Sequence, residues 1–340
     1  MTSHQLPLSN SRAWALRLMA VGLGCAVALA LAELATRFGP PLTERDYRET
    51  QVETSHTEDR KPDFRRRPYQ LDKRPGVFRI VALGDSFTWG TGVYPADTYP
   101  DRLERRLNLL HPEQPIEVIS WAYQGWNTAQ EVESIRGELD RLQPDLLILG
   151  FVFNDAETSS YYKRKATWQI LKRRKPQGGL GAFLYRRSSL FYVLYNRLEN
   201  VRQRRDLTAF YHRFFEDGPD WQACVEALGE LRALADRHGF RLLMVVFPLF
   251  DGKLDEGYPY LDLHQRIDAT AKRLLIPALD LLPAFRGMET RRLAIDPFAD
   301  PHPNELAHRI AADRILLYLL RQGQVPIPWP PPAASTSGGS

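Results

Sequence analysis

The chain has 340 residues and a mass of 39.1 kDa, with 44% hydrophobic and 25% charged residues, which excludes a wholly disordered polymer and leaves room for one large domain plus terminal segments. Lys and Arg number 45 against 41 Asp and Glu, a net charge of +4 that is too mild to single out nucleic acid. The two cysteines, Cys25 and Cys224, exclude a disulfide-built scaffold and a cysteine-rich metal centre.

In chain order, the first feature is an apolar stretch from Leu18 to Ala32, preceded by Arg12 and Arg17. Counted from Trp14 to Ala35 it reaches about 33 Å as a helix, enough for a hydrocarbon core of about 30 Å. Two readings stay open: a single-pass signal-anchor over residues 1–37 with a cytoplasmic tip, or a signal peptide cut after Ala32 behind the small residues Ala30 and Ala32. Both export the rest of the chain, and Cys224 then reads as a buried thiol. Residues 38–75 are polar and proline-containing, with Arg65-Arg66-Arg67, and read as a linker.

From 76 to 322 strands and helices alternate. Phe78–Leu83, Ile116–Ser120, Leu146–Val152 and Phe240–Phe247 read as strands. A fifth falls at Leu274–Ile276 or Ala278–Leu281. Helices are expected over 97–110, 128–142 (with a charged face), 220–237, 261–275 and 303–320, the last with Pro303 in its first turn. Apolar strands without polar alternation predict a mostly parallel sheet covered on both faces, a three-layer α/β/α sandwich. A helical insertion at about 157–215 interrupts this rhythm. Its stretch Lys163–Asp206 carries a net charge of +11, interleaved with Phe183, Tyr185, Phe191, Tyr192 and Tyr195. A solvated basic face over an aromatic inner face accounts for it, and so does contact with anionic lipid; export removes nucleic acid as a partner. Residues 323–340 are rich in Pro, Ser and Gly and are expected to be disordered.

Four short segments carry the residue types for chemistry, each at a strand exit or before the last helix. Gly84-Asp85-Ser86 follows the first strand and lifts a serine to the top of the sheet, where the next helix adds backbone N–H groups. Gly125 follows the second strand and offers an N–H with no side chain in the way. Asn154-Asp155 follows the third, an amide donor beside a carboxylate that supports the loop. Asp300-Pro301-His302 precedes the last helix; an aspartate two residues from a histidine reaches Nδ1 and leaves Nε2 free for Ser86. Taken singly, each also reads as capping or turn chemistry. Together they provide a nucleophile, a base, its orienter and oxyanion donors. Trp89, Trp126 and Phe153 are candidate pocket walls, and each fits the core equally well. His308 competes with His302 as a base, and a zinc site through both lacks further ligands at a recognised spacing.

These blocks resemble those of the SGNH/GDSL hydrolases, serine esterases, lipases and carbohydrate deacetylases, over the core from about Phe78 to Leu320. Val152 stands where the third block usually has glycine, and Ala299 where the fifth usually has aspartate; related members use the shorter Asp-x-His spacing seen here. The resemblance implies a flavodoxin-like fold, Ser86 as nucleophile, His302 as base and Asp300 as its orienter. It also implies the Ser86 N–H, the Gly125 N–H and the Asn154 side chain as the oxyanion hole. No metal or organic cofactor is implied. An N-terminal membrane segment before such a domain is similar to some bacterial members, which implies an inner-membrane anchor with the domain on the periplasmic side, or secretion after cleavage. The expected activity is hydrolysis of an O-acetyl or other short acyl ester, with a carbohydrate as one substrate class. The alternatives are acyl transfer to a cell-surface glycan and a catalytically silent glycan- or membrane-binding protein.

Overall fold

The structure is a computed structural model that describes residues 10–38, 69–158, 175–296 and 300–328. It divides into two compact units. The larger comprises residues 47–170 and 204–340, and the smaller residues 1–46 and 171–203.

The larger unit is built on β1 (Phe78–Gly84), β2 (Ile116–Ala122), β3 (Leu146–Phe151), β4 (Arg241–Val246) and β5 (Ala278–Asp280). They form one sheet in the order β2-β1-β3-β4-β5, parallel at every pairing. This is the doubly wound, flavodoxin-like order, in which the connection reverses between β1 and β3 and opens a crevice at their carboxyl ends. All of β3, and β1 after its first residue, is buried, because helices cover both faces. On one side α3 (Tyr99–Leu110) buries Tyr99, Leu103 and Leu107 and packs on the last helix. On the other α4 (Thr128–Arg136) packs on a long helix, Pro219–His238, that buries Trp221, Leu228 and Leu231. The three-layer α/β/α expectation holds.

Several boundaries differ from the sequence reading for local reasons. The helix expected over 128–142 ends at Arg136; Gly137 follows, and only one further turn forms, at Leu139–Leu142. Its charged face is not wholly solvated either, since Glu131 is completely buried. The fifth strand takes the later of its two positions. The last helix begins at Glu305, not at Pro303. Asn304 caps it, accepting from the Leu306 and Ala307 N–H groups, while Pro303 closes a short strand (Asp300–Pro303) antiparallel to Ala294–Asp296. At the edges of the domain, Tyr69 is buried and the carbonyls of Gln70 and Leu71 accept from the buried Arg79 guanidinium. Arg241 likewise holds the carbonyls of Gly323 and Gln324, and Val325 is buried. The chain on both sides of the expected 76–322 domain is thus packed onto it for several residues. Most of the expected linker and tail (39–68 and 329–340), and residues 159–174 of the insertion, lie outside the described residues.

In the smaller unit, the N-terminal helix α1 (Asn10–Phe38) contains one segment, Trp14–Phe38, long and apolar enough to cross a membrane. Its Glu33 carboxylate accepts from the Ser188 hydroxyl (2.7 Å) and from the Ser189 and Leu190 N–H groups (2.7 and 2.9 Å). It thereby satisfies the first turn of the helix Ser189–Phe214, whose residues up to 203 belong to this unit. Tyr185, Tyr192, Tyr195 and Phe191 contact one another, with ring centroids 5.0 to 6.1 Å apart.

Candidate active site

The strand β1 ends at Gly84, which faces Gly150 of β3 across the pairing. A Cβ at either position collides with the Thr88 hydroxyl, so both glycines make room for the turn above them. Asp85 caps a single helical turn, Ser86–Trp89, by accepting from the Phe87 N–H at 2.9 Å. The turn closes at Gly90, whose φ of 82° suits glycine. A helix this short carries little macrodipole, so the electrostatic help expected from it reduces to the few N–H groups at its start.

The tight exit places the Ser86 hydroxyl 2.9 Å from His302 Nε2, although the two residues are 216 positions apart. Asp300 Oδ1 lies 2.5 Å from His302 Nδ1 and also accepts the His302 backbone N–H at 3.0 Å. The short strand pairing and the Asn304 cap hold this segment. Asn304 donates through Nδ2 to the carbonyls of Arg292 and Ala294. Phe87 lies against the imidazole, with centroids 5.2 Å apart. Burial disfavours the charge on His302. The Asp300 carboxylate, its hydrogen bond and the more distant Asp85 carboxylate outweigh that, and the imidazole pKa stands above its ordinary value. Asp85 is fully buried. Burial raises its carboxyl pKa against the opposing hydrogen bonds from Phe87 and Asn154.

Asn154 sits on a 3₁₀ turn just past β3. Its Nδ2 donates to Asp85 Oδ2 at 2.9 Å and to the Trp126 carbonyl at 3.0 Å. Ser86 also lies 3.2 Å from that Asp85 oxygen, so Ser86 and Asn154 converge on one carboxylate. Gly125 has φ 74°, a left-handed conformation that a side chain would strain, in the loop leaving β2. That loop is tied to β1 by the Tyr123 N–H on the Gly84 carbonyl. Asp155 is buried and takes the Val152 N–H at 2.6 Å and the Thr128 hydroxyl at 3.0 Å.

For the three aromatic residues that fit either a pocket wall or the core, burial separates the cases. Phe153 is fully buried in a cluster with Tyr211, Phe215 and Tyr260, and Trp89 is also buried; both complete the core. Trp126, buried too, borders a groove of about 490 Å³ together with Asn127, Gln130, Glu133 and Thr158. His308 is buried, and its Nδ1 accepts the Tyr99 N–H at 3.2 Å. Burial, with the charges of Arg102 and His302, pushes its pKa down to about 3, so it stays neutral and structural. Among the described residues no group of three His, Cys, Asp or Glu stands together as a metal site. Sequence reasoning did not single out Glu131, because a glutamate on a helix face ordinarily reads as solvated.

No curated protein sequence matches the chain. Among solved structures, a two-domain esterase active on acetylated mannans is similar at 15% identity and a TM-score of 0.44. That match covers 73% of this chain and 50% of the other, so the chain spans about half the length of that esterase. An acetylxylan esterase from Geobacillus stearothermophilus is similar at 13% identity and a TM-score of 0.45, over 73% of this chain and 95% of that one. The model of the GDSL-like lipase/acylhydrolase family matches residues 82–310, a span that takes in Ser86, Asn154 and His302, and the chain belongs to that family.

Proposed function

We propose that the protein hydrolyses a short acyl ester through an acyl-serine intermediate, with an O-acetylated carbohydrate as the first substrate class to try. The observation that carries this is the continuous line from Asp300 through His302 to Ser86. His302 Nε2 takes the Ser86 proton as the oxygen attacks the ester carbonyl, and Asp300 supports the imidazolium. The oxyanion is met by the N–H groups of Ser86 and Gly125 and by Asn154 Nδ2, which exchanges one of its two resting acceptors for it. Collapse releases the alcohol, protonated by His302. Water activated by the same imidazole then frees the acid. Asn154→Ala is expected to lower kcat by about 10²- to 10³-fold with little change in KM, the usual cost of one oxyanion donor. Steady-state kinetics on an aryl acetate check this; a loss confined to KM contradicts it. The same assay with a glycan acceptor separates hydrolysis from transfer, because transfer leaves acetylated acceptor.

We further propose that α1 remains as a single-pass anchor, with the catalytic domain on the outer side of a bacterial inner membrane. What supports this over a cleaved signal is the length of the apolar helical segment, 25 residues from Trp14 to Phe38, against about 7–15 for the apolar region of a cleaved signal. Glu33 and Arg37, at its end, bond to residues 187–190 of the basic insertion. That contact sets the insertion beside the helix end at headgroup depth. There the exposed stripe Leu194, Leu198 and Val201 (spaced for one helix face) meets lipid, flanked by Arg186, Arg187, Arg197 and Arg202. In nanodiscs of the full chain, an environment-sensitive dye at Leu198→Cys (Cys25→Ser background) is expected to be quenched by brominated lipid. Quenching should be stronger with anionic headgroups and weaker in high salt. An unquenched dye contradicts the contact.

A further inference from the structure

Beneath the site lies a buried acid that the chemistry above does not use. Asp155 directly follows Asn154, and Thr128, whose hydroxyl it accepts, opens α4 just after Gly125-Trp126-Asn127. Glu131 stands on the same helix, completely buried, with its carboxyl within hydrogen-bonding reach of Asp155. Yet neither Glu131 oxygen meets a donor among the described residues. Two ionised carboxylates in contact have no hydrogen to share, and leaving them so in the interior is strongly unfavourable. One proton between them satisfies both.

We propose that Glu131 is a positioning residue, held protonated and donating to the Asp155 carboxylate. The pair staples the loop of Gly125 to the loop of Asn154 and so sets the spacing of the oxyanion donors. This rests on the reading of those two residues as oxyanion donors. The proton belongs on Glu131 because Asp155 already has two other donors, the Val152 N–H and the Thr128 hydroxyl. The groups facing the pair are themselves acids: Asp85 from the exit of β1, Tyr99 from α3, and Cys224 from the helix Pro219–His238, whose thiol is 3.8 Å from Thr128 Oγ1. Burial, then the charges of Asp155 and Asp85, push the Glu131 carboxyl well above the usual carboxylate range. A folded pKa above the unfolded one makes the contribution of this pair to stability complete below the unfolded value of about 4.3 and lost as pH climbs through the folded one. The loops should loosen over that same range, giving kcat an alkaline limb.

The test compares Glu131→Gln with Glu131→Leu in the full chain. The glutamine amide supplies a donor that does not titrate. Glu131→Gln is expected to keep kcat within about threefold of the wild type at neutral pH and to remove the alkaline limb, whereas Glu131→Leu should lose about 10- to 100-fold in kcat, less than a direct oxyanion donor costs. Infrared difference spectra supply a readout independent of turnover: a protonated-carboxyl C=O band in the wild type and in Ser86→Ala, absent from Glu131→Gln. If Ser86→Ala turns over normally while the band persists, the serine reading fails and the proton pair stands. If the band is missing from the wild type, if Glu131→Gln keeps the alkaline limb, or if it is as impaired as the leucine variant, the proposal is overturned.

Discussion

Ser86→Ala should abolish ester turnover while leaving the fold intact. In the proposed mechanism the hydroxyl oxygen is the atom that becomes acylated, and an alanine methyl offers no replacement. Losing the nucleophile of a serine, histidine and aspartate set costs about 10⁴- to 10⁶-fold in kcat, the remainder coming from oxyanion stabilisation and binding. Folding should be spared because Ser86 does not cap its helical turn. Asp85 does, through the Phe87 N–H, and alanine suits a first helical position. His302→Ala should lose activity to a similar degree, since among the described residues the Ser86 hydroxyl otherwise meets only Asp85 Oδ2, at 3.2 Å. The two losses should not add, because the pair acts as one unit. Thermal melts of both variants alongside aryl acetate kinetics check this. A variant that folds and turns over like the wild type contradicts it.

The second large effect is expected at Asp300. Its Oδ1 performs two tasks, fixing the His302 ring through Nδ1 and the local backbone through the His302 N–H. Asp300→Ala removes both and should lower kcat/KM by about 10⁴-fold. Asp300→Asn keeps an acceptor but removes the charge, which isolates the electrostatic part. A general base must be neutral to act, so activity rises with pH through the His302 pKa, which in the native protein stands above the ordinary imidazole value of about 6.5. Without the Asp300 charge that pKa falls, and the acid limb of kcat/KM should move to lower pH even as the maximum rate drops. A pH–rate profile of both proteins measures this. An acid limb that does not move shows that Asp300 does not tune His302.

The parts of this protein that were legible in advance are those written locally. The four long strands are nearly unbroken apolar runs, and burial on both faces follows from that. The fifth strand was ambiguous because its three residues are only partly buried and carry no such run. Serine, asparagine and histidine were legible because each stands at a strand exit or helix entry, where the fold gathers side chains at one end of the sheet. The misreadings arose where distant elements decide the outcome. Pro303 fits a helix start by its own chemistry, but pairing with Ala294–Asp296 draws it into a strand and hands the cap to Asn304. Phe153, beside Asn154, fits a pocket wall or the core equally well by sequence, and only residues 211, 215 and 260, which enclose it, decide for the core. Glu131 is the clearest case, since only the meeting of α4 with the loop after β3 turns an ordinary helical glutamate into a buried acid.

The central claim is that His302 activates Ser86. A fluorophosphonate reacts with a serine only when its hydroxyl is activated, and it needs no knowledge of the natural ester. Labelling of the full chain followed by peptide mapping is expected to place the adduct on Ser86 alone, with the adduct lost in His302→Ala. Label on another residue, or equal labelling of Ser86 with and without His302, would contradict the account.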